Sequence, residues 1–80
     1  MIEAKIKEYI AKNILFSDNG FPYEESASFL EEGIVDSVGI MELVSFVEDS
    51  FGVSVADTDV TPENFDSISR LSAYIRRKTG

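Results

Sequence analysis

Apolar residues at the start of the chain recur at the spacing of one face of an α-helix. Charged side chains fill most of the positions between these apolar residues, which are Ile2, Ile6, Tyr9, Ile10 and Ile14. The pattern is typical of an amphipathic helix with one buried face. We expect the helix to end near Ser17, because the segment SDNGFPY that follows is rich in turn-forming residues.

A long segment without helical periodicity follows, from Asp18 to Val35. We predict a loop whose apolar side chains fold over the helices as a lid, namely Phe21, Phe29, Leu30, Ile34 and Val35. Loops of this length within a compact domain tend to be either functional or poorly ordered. Gly33 is expected to adopt a positive φ angle, since glycine does so without steric cost.

A second helix is predicted over Ser37–Phe51. Asp36 suits the N-cap position, because its carboxylate can accept a hydrogen bond from an amide of the first turn. Gly52 suits the position that closes the helix. On a helical wheel one sector collects a core stripe, which comprises Ile40, Leu43, Val44, Val47 and Phe51.

Two apolar residues of this helix, Val38 and Met41, fall outside the core stripe. The same side of the helix carries the polar residues Glu42, Ser45, Glu48 and Asp49. An exposed apolar spot rimmed by acids suits docking of a partner with an apolar centre and basic edges. The alternative is that the long loop covers Val38 and Met41. Phe46 lies between the two sectors and is assigned to neither.

Two further helices are predicted after the second one. The segment DVTPENFDS indicates a short helical turn, capped by Thr61 with Pro62 in the first helical position. The last helix is predicted from about Ser67 to Lys78, and its buried face comprises Ile68, Leu71 and Ile75. The alternation in VSVAD is too short to start a sheet. The predicted fold class is therefore all-α: a small four-helix bundle, with three main helices, one short helix and a long loop between the first and second.

Composition narrows the classes of function. A chain of 80 residues, 44% of them hydrophobic, predicts one small domain over residues 1–80. The absence of cysteine and histidine excludes disulfides and removes the usual base for a serine nucleophile. An independent enzyme is therefore the least expected class. No apolar run is long enough to span a membrane, and the N-terminus lacks an apolar signal core, so we expect a cytoplasmic protein.

The net charge of −8 is unevenly distributed. All seven basic residues lie near the two ends of the chain, and between Lys12 and Arg70 every charged side chain is acidic. Such a surface repels nucleic acids and anionic lipids, and it attracts basic patches on proteins. The charge pattern therefore indicates a basic protein partner and no nucleic acid.

The acidic composition also raises the question of a calcium site. The segment DTDVTPENFDSI places Asp57, Asp59 and Thr61 at the first, third and fifth positions of an EF-hand loop. The sixth position should be glycine and is Pro62, and the twelfth should be glutamate and is Ile68. We therefore expect no specific metal site, only weak and non-specific binding of divalent cations.

The segment GIVDSVGIMELVSFVEDSFGV resembles the Asp-Ser-Leu region and second helix of the acyl carrier protein family, which includes peptidyl and aminoacyl carriers. The likeness extends over nearly the whole chain in the order of its helices. In that family the serine after the aspartate bears 4′-phosphopantetheine, taken from coenzyme A, which holds acyl groups as thioesters. The resemblance implies that Ser37 is the attachment site. It also implies that Asp36 caps the helix and contributes to recognition by phosphopantetheinyl transferase.

The resemblance implies further roles. A face read by partner enzymes with a basic docking patch would comprise Asp36, Val38, Met41, Glu42, Glu48 and Asp49. Residues that touch a sheltered acyl chain would be Leu43, Val47 and Val55, although their pattern first indicates core. The implied partners are phosphopantetheinyl transferase and a ligase or synthase that loads acyl or aminoacyl groups. The natural form of such a non-catalytic shuttle is a monomer.

The chain departs from the family pattern in two places. Val38 stands where the family usually has leucine, and Gly39 where it often has an acid. The approach EEGIVDS, followed by VGIMELV, is closer to free-standing specialised carriers such as the D-alanyl carrier protein. A carrier for a specialised pathway is therefore expected ahead of a housekeeping fatty acid carrier. The alternative outside the family is an acidic helical interaction module without a prosthetic group, which would not need Ser37.

Overall fold

The regular structure of the chain is helical. The computed structural model describes residues 2–80, and no strand occurs among them. The elements are α1 (Ile2–Asn13), α2 (Ser37–Phe51), a 3₁₀ turn (Asp57–Asp59), α3 (Pro62–Phe65) and α4 (Ile68–Thr79). The prediction of an all-α fold with three main helices, one short helix and a long loop between α1 and α2 is confirmed.

The direction of α1 relative to α2 follows from two aromatic contacts. Tyr9 stacks on Phe46 with ring centroids 4.2 Å apart, and the Lys5 ammonium lies 5.7 Å from the centroid of the Phe51 ring. Later residues of α1 therefore meet earlier residues of α2, and the two helices are antiparallel. The C-terminus of α1 and the N-terminus of α2 consequently lie at the same end of the molecule, which we call the Ser37 end.

Helix α4 also runs antiparallel to α1. Arg76 in the last turn of α4 donates two hydrogen bonds to Glu3 in the first turn of α1, at 2.6 and 2.8 Å. Both carboxylate oxygens of Glu3 are engaged, and this bidentate pairing lowers the pKa of Glu3 to about 2. The N-terminus of α4 therefore also lies at the Ser37 end.

The core is built by the three long helices together with the loop and the segment around α3. Tyr9, Phe46 and Phe51, partly exposed, pack at its margin. The predicted buried face of α4 is confirmed, and so is the central part of the predicted stripe of α2. The buried apolar side chains of the whole core include Ile6, Ile10, Phe29, Leu43, Val44, Val47, Val53, Phe65, Ile68, Leu71 and Ile75.

The loop between α1 and α2 lies over the core as predicted, except at Leu30. Phe29, Ile34 and Val35 are buried, and Phe21 packs partly buried against the core. Leu30 is 48% exposed, so its assignment to the lid is wrong. The reason is local: Phe29 takes the core position, and the next residue along an anchored loop faces outward. Gly33 has the predicted positive φ, at 68°.

Helix α1 ends earlier than the sequence predicts. It stops at Asn13 instead of near Ser17. The amide of Leu15 donates to the carbonyl oxygen of Ile10 at 2.9 Å, a wider spacing than the helical one, and Phe16 then adopts a positive φ of 52°. A residue in the left-handed conformation commonly follows the end of a helix and is usually a glycine, whereas here it is Phe16. The boundary was therefore not visible in the sequence.

Helix α2 has the predicted bounds and the predicted closure. Gly52 takes the left-handed conformation at φ 66°, and its amide donates to the carbonyl oxygen of Glu48 at 3.1 Å. Phe46, unassigned from the sequence, fills the seam with α1 through its stacking on Tyr9.

The caps of the last two helices differ from each other. Thr61 precedes Pro62 at the start of α3, but its hydroxyl accepts no capping hydrogen bond, so that part of the prediction is wrong. The amide of Asn64 instead donates to the backbone oxygen of Thr61 at 3.1 Å. At the start of α4 the hydroxyl of Ser67 accepts from the amide of Arg70 at 3.1 Å. Ser67 is thus the N-cap, which places the first helical residue one position later than predicted.

Candidate functional site

The start of α2 is fixed by Asp36. This residue is extended, with φ −98° and ψ −174°, and its Oδ1 accepts a hydrogen bond from the amide of Gly39 at 2.8 Å. Its backbone oxygen accepts from the amide of Ile40 at 2.9 Å. The carboxylate satisfies an amide that the helix itself leaves unpaired, and its charge suits the positive end of the helix dipole. The predicted N-cap is confirmed.

Ser37 is the first residue of α2 and is exposed. Among the side-chain hydrogen bonds within residues 2–80, none involves its hydroxyl. A helix N-terminus favours an anion, because amide groups and the helix dipole both point outward there. The hydroxyl is therefore open to a modifying enzyme, at a place suited to carrying a phosphate.

Gly39 allows close packing behind this serine. A Cβ atom at position 39 would lie 2.6 Å from Cγ1 of Val35, closer than non-bonded carbon atoms approach. Val35 is itself buried at the end of the loop. The glycine therefore lets the loop press directly against the first turn of α2. Gly39 stands where the family often has an acid, and this contact leaves no room for a Cβ atom at the position.

The predicted recognition face of α2 is open. Val38 is 69% exposed and Met41 59% exposed, so the alternative in which the loop covers them is wrong. Glu42 and Asp49 are also exposed. Glu48 is exposed too, but its Oε2 accepts a hydrogen bond from the amide of Val55 at 2.9 Å. Its carboxylate thus has a structural contact in addition to its place on this face.

The acids of α2 have no basic partner within residues 2–80. The ion pairs among these residues use acids of α1 and of the loop, and they are Lys7–Glu25, Lys12–Glu8 and Arg76–Glu3. The negative charges of Glu42, Glu48 and Asp49 are therefore not neutralised by the chain itself. A basic patch on another protein would be attracted to this face.

A mainly apolar cavity of about 250 Å³ lies beside Ser37. It opens between the first turns of α2, the loop and the α3 region. Ile40 belongs to the stripe of α2 that the sequence predicts as core, and no signal in the sequence assigns Ile40 or Phe65 to a cavity. The complete lining is Leu30, Ser37, Ile40, Met41, Val60, Thr61, Pro62, Phe65 and Asp66.

Asp66 ties the loop to the α3 region at the edge of this cavity. Its Oδ2 accepts from the Ser28 hydroxyl at 2.5 Å, and its Oδ1 accepts from the amide of Leu30 at 3.0 Å. Its backbone oxygen accepts from the amide of Phe29 at 2.7 Å. The three bonds hold Leu30 in the cavity wall. The sequence does not reveal this role, since Asp66 is one acid among many in an acidic chain.

The three residues predicted to touch an acyl chain do not line the cavity. Leu43 and Val47 are fully buried on the core side of α2, and Val55 is partly buried. The structure thus places Ser37 and Met41 at the cavity, and Leu43 and Val47 in the buried core.

The family described as "Phosphopantetheine attachment site" matches residues 4–75 of this chain. The chain belongs to the acyl carrier protein family. Carriers of this family bear covalently attached 4′-phosphopantetheine, are not themselves catalytic, and interact with loading and synthase enzymes.

Relatives of this acyl carrier family member come from several bacteria. The chain is 38% identical over 48 residues to a D-alanyl carrier protein of Abiotrophia defectiva, an alignment that covers 60% of this chain and only 61% of that relative. It is 30% identical over 77 residues to an acyl carrier protein of Buchnera aphidicola, covering 96% and 92% of the two chains. It is 29% identical over 77 residues to the probable acyl carrier protein PigG of a Serratia species, covering 96% and 87%.

A membrane-spanning helix is not found in this carrier. Each helix among residues 2–80 is too short or too polar to cross a lipid bilayer.

Proposed function

We propose that Ser37 is the residue to which 4′-phosphopantetheine is attached. The observation that carries the proposal is the exposed hydroxyl of Ser37, which has no hydrogen-bond partner among residues 2–80 and stands at the N-terminus of α2. Asp36 caps the N-terminus of that helix, and the helix dipole favours the phosphate that attachment introduces. When attached, the group supplies a thiol on which acyl or aminoacyl groups travel as thioesters.

The test is an intact mass measurement after incubation with coenzyme A, magnesium and a phosphopantetheinyl transferase. We expect one added phosphopantetheine on the parent and none on Ser37→Ala. Ser45→Ala is the matched control, because Ser45 is an exposed serine of the same helix. Modification of Ser37→Ala would contradict the assignment. No modification of a folded parent would instead favour an acidic helical interaction module without a prosthetic group.

The partners are enzymes with a basic docking patch. The proposed recognition face consists of Asp36, Val38, Met41, Glu42, Glu48 and Asp49. Its support is the combination of two exposed apolar side chains with acids that have no basic partner in residues 2–80. The transferase and a loading ligase or synthase are the two classes of partner that the function requires.

A charge reversal tests this face. Glu42→Lys should raise the KM of the transferase for the carrier, and the effect should shrink at high salt because exposed charges are screened. Glu24→Lys is the control, since Glu24 is exposed on the loop and outside the proposed face. Equal effects of the two substitutions would argue for net charge alone and against a specific face.

The cargo is an acyl or aminoacyl group of a specialised pathway. Support comes from the resemblance of EEGIVDS and VGIMELV to free-standing specialised carriers and from the relative named D-alanyl carrier protein. The apolar cavity beside Ser37 offers a contact surface for a small acyl group. Leu43, Val47 and Val55 do not line that cavity. Leu43 and Val47 are fully buried, so cargo would touch these two only if the core opened.

A second cargo, a fatty acyl chain of housekeeping synthesis, is favoured by the nearly full-length match to an acyl carrier protein at 30% identity. Loading assays on the phosphopantetheine-bearing chain separate the two. Charging by an amino-acid-activating ligase and not by a fatty acyl synthase would support the specialised carrier. The opposite result would support the housekeeping carrier.

We also infer that residues 1–80 act as one carrier domain, as a monomer in the cytoplasm. The strong negative charge opposes self-association of like surfaces and binding to nucleic acid. Sedimentation equilibrium tests the monomer, and a concentration-dependent dimer would contradict it.

A further inference from the structure

Ser37 is itself part of the wall of the apolar cavity. A group attached to the Ser37 hydroxyl therefore starts at the edge of this cavity. Six of the other lining residues are apolar, and two carry polar side chains, Thr61 and Asp66. The first part of an attached chain thus meets a mainly apolar surface before any other feature of the protein.

Thr61 gives the cavity wall an uncommitted hydroxyl. The residue is half-buried and precedes α3, but its side chain accepts no capping hydrogen bond. None of the other side-chain hydrogen bonds within residues 2–80 involves this hydroxyl. Asp66, in contrast, is engaged with the Ser28 hydroxyl and the Leu30 amide. A half-buried hydroxyl that the protein does not use is available to donate to, or accept from, a ligand.

A second pocket, of about 420 Å³, adjoins the apolar cavity and shares Leu30 and Asp66 with its wall. Ser37 does not line this second pocket. Its other lining residues are all polar or charged, and they are Ser26, Ser28, Glu31, Ser67 and Arg70. Going outward from Ser37, the surface is therefore first apolar and then, beyond Leu30, polar.

The 4′-phosphopantetheine arm has the same order of chemistry along its length. A carbon atom with two methyl groups follows the phosphate after a few bonds, and a carbon that bears a hydroxyl comes next. Two amides follow, and the thiol is at the far end. The apolar part of the arm is thus the part nearest to Ser37, and the polar amides lie further out.

We infer that the apolar cavity binds the dimethyl segment of the arm in the carrier that bears no cargo. The Thr61 hydroxyl forms a hydrogen bond with the neighbouring hydroxyl of the arm, and the pocket beyond Leu30 faces the amides. The inference rests on the proposed function, because it requires that the arm be attached to Ser37.

Two physical effects favour this binding. Moving two methyl groups from water to an apolar surface is favourable. Attachment at the cavity edge makes the binding intramolecular, so no second molecule has to be brought to the site. Cargo and the dimethyl segment compete for the same cavity, and the inference therefore concerns the uncharged arm.

The test uses nuclear magnetic resonance on the modified chain, after intact mass has shown one phosphopantetheine per molecule. The coenzyme A supplied to the transferase carries carbon-13 in its two methyl groups. We expect nuclear Overhauser effects between these methyl groups and the side chains of Leu30, Ile40 and Met41. Val38 is the internal control, since it is exposed next to Ser37 but does not line the cavity.

Thr61→Val tests the hydrogen bond. The variant should keep the parental Tm, because the hydroxyl has no partner within residues 2–80. It should lower the ratio of bound to free arm about 5-fold, which weakens the effects at Leu30 and Met41. Thr58→Val is the matched control, since Thr58 is exposed in the 3₁₀ turn and outside both linings. It should leave these effects unchanged.

Two results would overturn the inference while attachment at Ser37 stands. One is a modified parent whose arm methyl groups show no contact with Leu30, Ile40 and Met41, or contact Val38 equally. The other is a Thr61→Val variant that matches Thr58→Val. If the folded parent received no phosphopantetheine, the proposed function would fail and this inference with it, and the intact mass separates that failure from the other two.

Discussion

Val35 and Gly39 are in a contact that leaves no room for a methyl group. A Cβ atom at position 39 would lie 2.6 Å from Cγ1 of Val35. Glycine within a helix normally weakens it, so replacement by alanine usually gains about 0.5–1 kcal/mol. Here the loop presses on the first turn of α2, so we expect replacement of Gly39 by alanine to destabilise the protein instead of stabilising it.

We predict that Gly39→Ala lowers the free energy of unfolding by about 1–2 kcal/mol, as overpacked sites do. Denaturant unfolding measures the change. Val35→Ala is itself expected to destabilise, but combining it with Gly39→Ala should cost less than the sum of the two, because the smaller side chain removes the clash. Additive costs, or a stabilising Gly39→Ala, would contradict the contact.

Two buried serines of the α4 region give opposite predictions. The hydroxyl of Ser72 is buried with no hydrogen-bond partner among residues 2–80, whereas that of Ser67 caps α4 through the amide of Arg70. An unsatisfied buried hydroxyl is costly, so Ser72→Ala should stabilise the protein by about 1 kcal/mol. Ser67→Ala should destabilise it by about 1 kcal/mol through loss of the cap. Thermal unfolding measures both changes, and Tm shifts in the same direction for the two variants would contradict the prediction.

The pairing of Glu3 with Arg76 makes the stability of the protein depend on pH. The pKa of Glu3 is lowered from the usual 4.5 to about 2, first by its hydrogen bonds with Arg76. A lowered carboxyl pKa means that the stabilisation is complete above pH 4.5 and is lost as the pH falls towards 2. The Tm difference between the parent and Glu3→Gln should therefore be largest above pH 4.5 and should vanish as the pH falls towards 2. Glu63→Gln, at an exposed acid of α3, is the control, and a difference that persisted at pH 2 would contradict the pairing.

Asp66 should control the order of the loop next to the cavity. Asp66→Ala removes acceptors for the Ser28 hydroxyl and the Leu30 amide, and should cost about 2 kcal/mol. Hydrogen exchange at the Leu30 amide should accelerate, while that of Phe29, which bonds the backbone oxygen of Asp66, should change less. The exposed Asp57, in the 3₁₀ turn, provides the matched control variant Asp57→Ala. Unchanged exchange at Leu30 would show that Asp66 does not hold the loop.

The sequence predicted those features that depend on local chemistry. Asp36 as a cap, Gly52 as a closing residue and the split of α2 into core and exposed sides follow from residue type and helical period. The end of α1 escaped prediction, because the left-handed residue is Phe16 and not a glycine. The cavity beside Ser37 escaped too, since it depends on how far the loop and the α3 region stand from α2, and no local pattern encodes that distance.

The position of the prosthetic group within the chain decides whether Ser37 is the attachment site. The protein is incubated with coenzyme A, magnesium and a phosphopantetheinyl transferase, then cleaved, and the fragments are sequenced by tandem mass spectrometry. We predict a single phosphopantetheine on Ser37, within GIVDSVGIMELV. A group on another residue, or no group on the folded chain, would contradict it.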